Sequence, residues 1–326
     1  MINEKEKVIK INELSRDMQK EILKGYGQAI QFIDNPDKEL QLIAVKQNGF
    51  AIQFINNPDK DVQLEAVKRD GLVIEYIENP EKEVQIEAVK QNGYSIRHII
   101  NPDKELQLEA MKEDGSSLQF IKNPDKEVQL EAVKEDGLAI EYIENPDKEL
   151  QLIAVKQNGF AIRFIDNPDK EVQLEAVKRY GQALAFINNP DKDIQLEAVE
   201  EDGNSIEFIE NPDKELQLAA VKNYGPSIRF INNPDKDIQL EALKERGNSI
   251  EFIENPDKEI SDRIKIYKTS NREIIVFKDD DGNYKFTIGC QRNISKETFM
   301  WRIYNLDGGL KEKPYRQEYL DILKQY

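Results

Sequence analysis

Proline recurs every twenty-second residue from Pro36 through Pro256, and glycine does the same from Gly27 through Gly247. Each unit reads N-P-D-K-E-[VLI]-Q-L-E-A-V-K-x-x-G-x-x-I-x-[FY]-I-x. A segment of that size cannot bury its own apolar face and must stack on its neighbours. The spacing therefore predicts an all-α right-handed solenoid of 22-residue helix-turn-helix repeats, followed by a small α+β C-terminal domain.

The boundaries follow from where the period holds. Residues 1–34 form an N-terminal segment and a degenerate capping repeat, and 35–254 hold ten repeats. Residues 255–268 form a half repeat, and 269–326 form the small α+β domain. Within the unit from Asn57 to Glu78, Asp59 stands at the helix start, and Val62, Leu64, Ala66 and Val67 follow at helical spacing. Asn57 as cap, with Pro58 at the first helical position, is the competing register. Ser15 lies one period before Asp37 and supports the aspartate register. Gly71 is expected to end the helix in a left-handed conformation, and a short second helix is expected over Leu72 to Ile77, stopped by Pro80.

Two polar ladders run through the array, Gln41 to Gln239 and Asn35 to Asn255. Side chains of this kind bond to turn backbone in every copy, a better reading than an identical binding strip. The fifth position of the short helix varies instead, with Glu75 next to Arg97, Glu141 next to Arg163 and Glu207 next to Arg229 along the stack. Facing pairs across adjacent helices are expected, setting register more than stability.

After Lys265 the period ends. Glu273 to Lys278 and Tyr284 to Gly289 flank Asp279-Asp280-Asp281-Gly282-Asn283, which reads as a hairpin. The spacing and distal Glu of a calcium loop are absent, so no metal is expected. A helix should start at Ser295 with Phe299, Met300, Trp301 and Ile303 on its apolar face, break at Asp307-Gly308-Gly309, and be followed by a last helix from Tyr315 to Tyr326.

Chemistry has few anchors here. His98 replaces a ring that is Phe or Tyr in the other units, and Cys290 has no evident acid-base partner. No Walker loop, dinucleotide fingerprint or zinc spacing occurs. The expectation is a non-enzyme with no cofactor. A single cysteine, a charged start at Met1 to Lys10 and the lack of a long apolar run predict a cytoplasmic protein without membrane contact.

The net charge of -17 is concentrated in the array, where residues 35–254 carry -19. Residues 57–78 carry -3, 123–144 carry -5 and 189–210 carry -7. Such acidity disfavours direct binding to nucleic acid. Spread along the stack, it is also too dilute for a general mimic of DNA, which carries about one charge per 1.7 Å.

The A-V-K-x-[ND]-G core at Ala44 to Gly49 and Ala66 to Gly71 resembles short helical repeats of unknown function in bacterial and phage proteins. The geometry is also similar to leucine-rich repeat variants and HEAT-like arrays. The C-terminal Phe286 to Cys290, with Trp301 and Tyr319-Leu320, resembles a small strand-strand-helix module of phage repeat proteins. What the resemblance implies is a scaffold binding one protein partner, in the form of a phage-derived inhibitor of a bacterial defence protein. The alternatives are an acidic nucleic-acid mimic and a sponge for a small anionic signal. The candidate acidic surface is Glu135, Asp136, Glu141, Glu200, Glu201, Asp202 and Glu207, and the candidate cationic ladder is Arg97, Arg163 and Arg229.

Overall fold

Each repeat folds as a ten-residue α-helix followed by a six-residue 3-10 helix, as at Lys60–Arg69 and Gly71–Tyr76. The computed structural model describes residues 11–269, 273–288, 291–304 and 316–326. The chain forms two compact units, Met1–Asn167 and Pro168–Tyr326. Within each, successive repeats pack helix on helix and 3-10 helix on 3-10 helix.

The aspartate register holds. Asp59 is extended and its side chain accepts from the Val62 N–H at 3.1 Å. Asp37, Asp103, Asp125 and Asp147 cap their helices in the same way. Ser15 caps the degenerate first helix, Arg16–Gly25, through Met18 N at 3.4 Å. Glu81, one methylene longer, makes no such bond.

One sequence expectation is made more specific and one is corrected. The second helix is 3-10 rather than α, closed by i→i+3 bonds such as Ala51 N to Asn48 O at 2.9 Å and Ile55 N to Ile52 O at 3.0 Å. Six residues, from the glycine up to an extended isoleucine, suit that tighter winding. The repeat glycines do not end the α-helix in a left-handed conformation. That conformation belongs to the asparagine before the repeat proline from Asn35 to Asn233, with φ of 47° at Asn57 and 51° at Asn123. Asparagine tolerates it better than most side chains. Gly71 instead opens the 3-10 helix, where a Cβ would lie 2.3 Å from the Ala88 carbonyl oxygen of the next repeat.

The glutamine ladder serves the same turn. Gln63 Nε2 donates to the Pro58 carbonyl at 2.8 Å, and Gln41, Gln85, Gln107, Gln129 and Gln151 repeat the contact. The core between repeats is small and aliphatic: Val62, Ala66, Val67, Val73 and Ile74 are buried in one copy, with equivalents in the others.

Lysines just inside the helix starts stitch neighbouring repeats. Lys104 reaches Asp125 at 2.9 Å and Glu127 at 2.5 Å, and Lys126 reaches Asp147 at 2.7 Å and Glu149 at 2.6 Å. Lys192 and Lys214 do the same in the second unit. The lysine hydrogen bond, then the capping backbone N–H, hold Asp59, Asp103, Asp125 and Asp147 below the usual carboxylate range. A carboxyl whose folded pKa is depressed stabilises fully above its unfolded value of about 4 and loses that contribution as pH falls toward the folded value. Helicity followed by circular dichroism should therefore show melting midpoints that are level from neutral pH to about pH 5 and fall steeply below about pH 4. Midpoints independent of pH down to about 2 would contradict the ladder's role.

The C-terminal domain is a four-stranded antiparallel sheet in the order β1 (Ile264–Lys268), β2 (Glu273–Lys278), β3 (Tyr284–Ile288) and β4 (Gln291–Ser295). It starts inside the segment read from sequence as a half repeat, of which only Lys258–Arg263 is helical. One sheet face packs Ile274, Val276, Phe286 and Ile288 against Phe299, Tyr319, Ile322 and Leu323 from the helices Lys296–Tyr304 and Arg316–Leu323. The other face, with Ile275, Phe277 and Thr287 buried, meets the last 3-10 helix, Gly247–Phe252. This double burial explains why Ile274 to Phe277 is apolar throughout rather than alternating. Cys290, Asp307 to Gly309, Tyr315 and Met1 to Lys10 lie outside the described residues, and the side chains of Trp301 and Ile303 are likewise not described.

The aspartate-rich hairpin turn has a structural use. Gly282 takes a φ of 84° there, and Asp280 pairs with Lys244 at 2.8 Å and Arg263 at 2.6 Å. No cluster of three or more potential metal ligands occurs among the described residues.

Candidate functional site

With the regular lysines and carboxylates bound to each other, the variable side chains gather on the 3-10 helices. In most of them the third and fourth residues are buried while the second, fifth and sixth are at least partly open, as in Gly137–Tyr142. The sixth residue is the repeat aromatic. Where the fifth is Glu, that ring is open: Tyr76 is 40% exposed, Tyr142 39%, Phe208 43% and Phe252 37%. Where the fifth is Arg, the ring is half-buried at His98, Phe164 and Phe230.

The arginines account for the difference. Arg163 lies 4.5 Å over its neighbour Phe164, and Arg229 lies 4.5 Å over Phe230 and 6.0 Å over Phe252 of the next repeat. Arg97 Nε donates to His98 Nε2 at 2.7 Å. The expected pairs Glu75–Arg97, Glu141–Arg163 and Glu207–Arg229 are thus not made; among the described residues none comes within ion-pair distance. Each arginine folds onto the adjacent ring in its own repeat, a shorter reach than the next layer. His98 does come within 3.9 Å of Glu75, but burial, then Arg97, push its pKa down and favour the neutral ring. The cationic ladder is therefore engaged within the array.

The acidic candidates divide. Glu141 and Glu207 are exposed beside open rings, and Glu135, Glu200 and Glu201 are exposed at helix ends. Asp136 and Asp202 are occupied: each caps a 3-10 helix, through Leu138 N at 2.9 Å and Asn204 N at 3.0 Å, and Asp202 also accepts from Gln182 Nε2 at 2.8 Å.

Sequence reasoning missed the residue two places beyond each ring. Glu75 to Glu78, Glu141 to Glu144, Glu207 to Glu210 and Glu251 to Glu254 all read Glu, aromatic, Ile, Glu, so every open ring of this motif has an acid on both sides. The signal was in the sequence, hidden because the ring was read as packing alone. A cleft of about 420 Å³ beside Tyr142 is lined by Pro124, Gln129, Ile143 and Glu144. The cleft one repeat earlier, about 390 Å³, has Phe120 and Lys122 in the equivalent places. Burial, then Glu141, raise the Tyr142 pKa, and a hydrogen bond to Glu75 raises that of Tyr76. Both hydroxyls stay protonated in a negative field. Edge-on stacking of Phe50 on Tyr76 at 6.1 Å and of Tyr94 on Phe120 at 5.4 Å links neighbouring layers of this face.

These features define a helical-repeat protein whose constant residues pack successive repeats together and whose variable residues lie on the 3-10 helices of each unit. The chain belongs to the family described as Domain of unknown function (DUF4116), whose model matches residues 59–101, 103–146, 125–168, 147–190, 169–211 and 213–256. No curated protein and no solved structure matches it. No helix among the described residues is long and apolar enough to cross a membrane.

Proposed function

We propose that the protein is a non-enzymatic scaffold that grips one protein partner along the face of its 3-10 helices. The observation that carries this is the segregation of charge. The invariant lysines pair with invariant carboxylates of the next repeat, whereas Glu141, Glu144, Glu207 and Glu210 stand exposed around open rings. Aromatic residues set in a rim of unpaired charge are what protein interfaces use as anchors. Within this reading the specific form carried forward is a phage-derived inhibitor of a bacterial defence protein, acting in the cytoplasm. Its support is the sequence resemblance and the single cysteine. The neutralised carboxylates of the ladder lower the charge left for a nucleic-acid mimic, and the engaged arginines leave less for a small anion.

The test is capture of the partner from bacterial lysate by the full chain and by a variant carrying Glu200→Lys, Glu201→Lys and Glu207→Lys. Asp202 is left in place because it caps a helix. The variant should keep its helicity and lose the partner, and wild-type capture should weaken as salt rises. Capture that survives both changes would remove the acidic face as the grip.

A further inference from the structure

We infer that the Glu-aromatic-Ile-Glu segments are cradles for arginine or lysine side chains of an extended basic stretch of the partner, a reading that rests on the scaffold proposed above. The array itself displays the chemistry. Arg163 and Arg229 sit over Phe164 and Phe230 at 4.5 Å, so a guanidinium fits against the ring at this position of the repeat. At Tyr76 and Tyr142 the fifth residue is Glu, no cation lies over the ring among the described residues, and the ring is open to solvent.

Each open ring supplies a face for a cation, and the flanking acids supply its counter-charge. Glu141 and Glu144 bracket Tyr142, Glu75 and Glu78 bracket Tyr76, and all four are exposed. None of the four has an ion-pair partner among the described residues, apart from the approach of His98 to Glu75 at 3.9 Å. The cleft beside Tyr142 carries Glu144 where the preceding one carries Lys122, so a basic side chain is drawn to the first and repelled by the second. Aromatic face, paired carboxylates and an adjoining cleft together match a desolvated cation better than an apolar or anionic group.

Spacing sets the partner's register. Tyr76 and Tyr142 stand three repeats apart in one compact unit, with Arg97 closing the ring of the repeat between Tyr76 and Phe120. Helix layers lie ~8 to 10 Å apart and an extended chain advances ~3.3 Å per residue, so basic residues about eight apart reach both cradles.

The experiment titrates the full chain with a Gly/Ser peptide bearing two arginines about eight residues apart. Controls carry adjacent arginines or citrulline. Tyrosine-labelled NMR should show the Tyr76 and Tyr142 rings shifting together, with the spaced peptide binding more tightly than either control. Tyr142→Leu, or Glu141→Gln with Glu144→Gln, should weaken it about threefold to tenfold. Equal binding of the citrulline peptide, shifts at neither ring, or no dependence on arginine spacing overturns the inference. Retention of the natural partner by a Tyr76→Leu, Tyr142→Leu variant, alongside its loss from the charge-reversed variant, would also overturn it and leave the scaffold reading standing.

Discussion

Gly137→Ala should destabilise the array by ~3 kcal/mol, against ~1 kcal/mol for Gln129→Ala, although alanine is the better helix former. The glycine is needed for closeness rather than for a left-handed backbone. A Cβ there would lie 2.4 Å from the Ala154 carbonyl oxygen and 2.9 Å from Gln157 Oε1. Neither neighbour can withdraw cheaply. The Ala154 carbonyl accepts from Asn158 N at 2.8 Å as its helix ends, and Gln157 bridges Gly137 N at 2.9 Å and the Glu135 carbonyl at 3.0 Å. A methyl group must therefore push two repeats apart, which loses burial of Ala139, Ile140, Ala154 and Val155. Gln129→Ala gives up one side-chain bond to the Pro124 carbonyl at a half-exposed site. Hydrogen exchange localises the effect where a global melt of a repeat array does not. Protection should fall in the repeats that meet at residue 137 in the Gly137→Ala variant, and fall much less in the same segments of the Gln129→Ala variant. Equal losses in the two variants would refute the close-approach argument.

The sequence made the stack legible because its period is set by backbone demands. Asp59 caps, Pro58 and Asn57 turn the chain, and Gly71 marks the closest contact, so the asparagine, proline and glycine recur in every full repeat and the aspartate in all but the one with Glu81. It misassigned which residue carries the unusual backbone, since glycine and asparagine both permit a positive φ and only the structure separates that need from a close approach. The Lys126 bridge to Asp147 and Glu149 was visible as three constant charges, yet its partners lie 21 and 23 residues on and mean nothing until the layers are aligned. The candidate face was half legible. Glu141 and Glu207 were found by charge, but Tyr142 and Phe208 were missed because a conserved-looking ring in a helix pattern reads as core. Arginine at the fifth position covers the ring, as Arg163 and Arg229 do, a contact between side chains that no periodicity encodes.

Asn293→Ala should release the sheet from the end of the array, at a cost of ~2 to 4 kcal/mol confined to the C-terminal domain and the last repeat. Within the array the side chain of Gln157 joins a glycine N–H to a carbonyl of the preceding repeat, and Asn223 does the same between Gly203 N at 2.8 Å and Glu200 O at 2.6 Å. Beyond Gly247 no further repeat supplies that amide. Asn293, from β4, takes the place: its Oδ1 accepts from Gly247 N at 3.0 Å and its Nδ2 donates to the Leu243 carbonyl at 3.0 Å and to that of Lys244. The residue holds a φ of 37° to do so, and Thr287 Oγ1 fixes the amide from the side at 2.9 Å. The sheet thus ends the stack by imitating one side chain of the repeat it replaces. Alanine removes four hydrogen bonds and leaves the buried Gly247 N–H unpaired. Asn293→Asp separates the two halves of the bridge, since it keeps the acceptor for Gly247 and sets a carboxylate against two carbonyl oxygens. It should be at least as damaging as alanine at neutral pH and recover toward wild type as acid protonates it. Protease cleavage near Ile264 reads the release directly, and an alanine variant that resists cleavage as well as the wild type would show that the ion pairs of Asp280 suffice to hold the sheet in place.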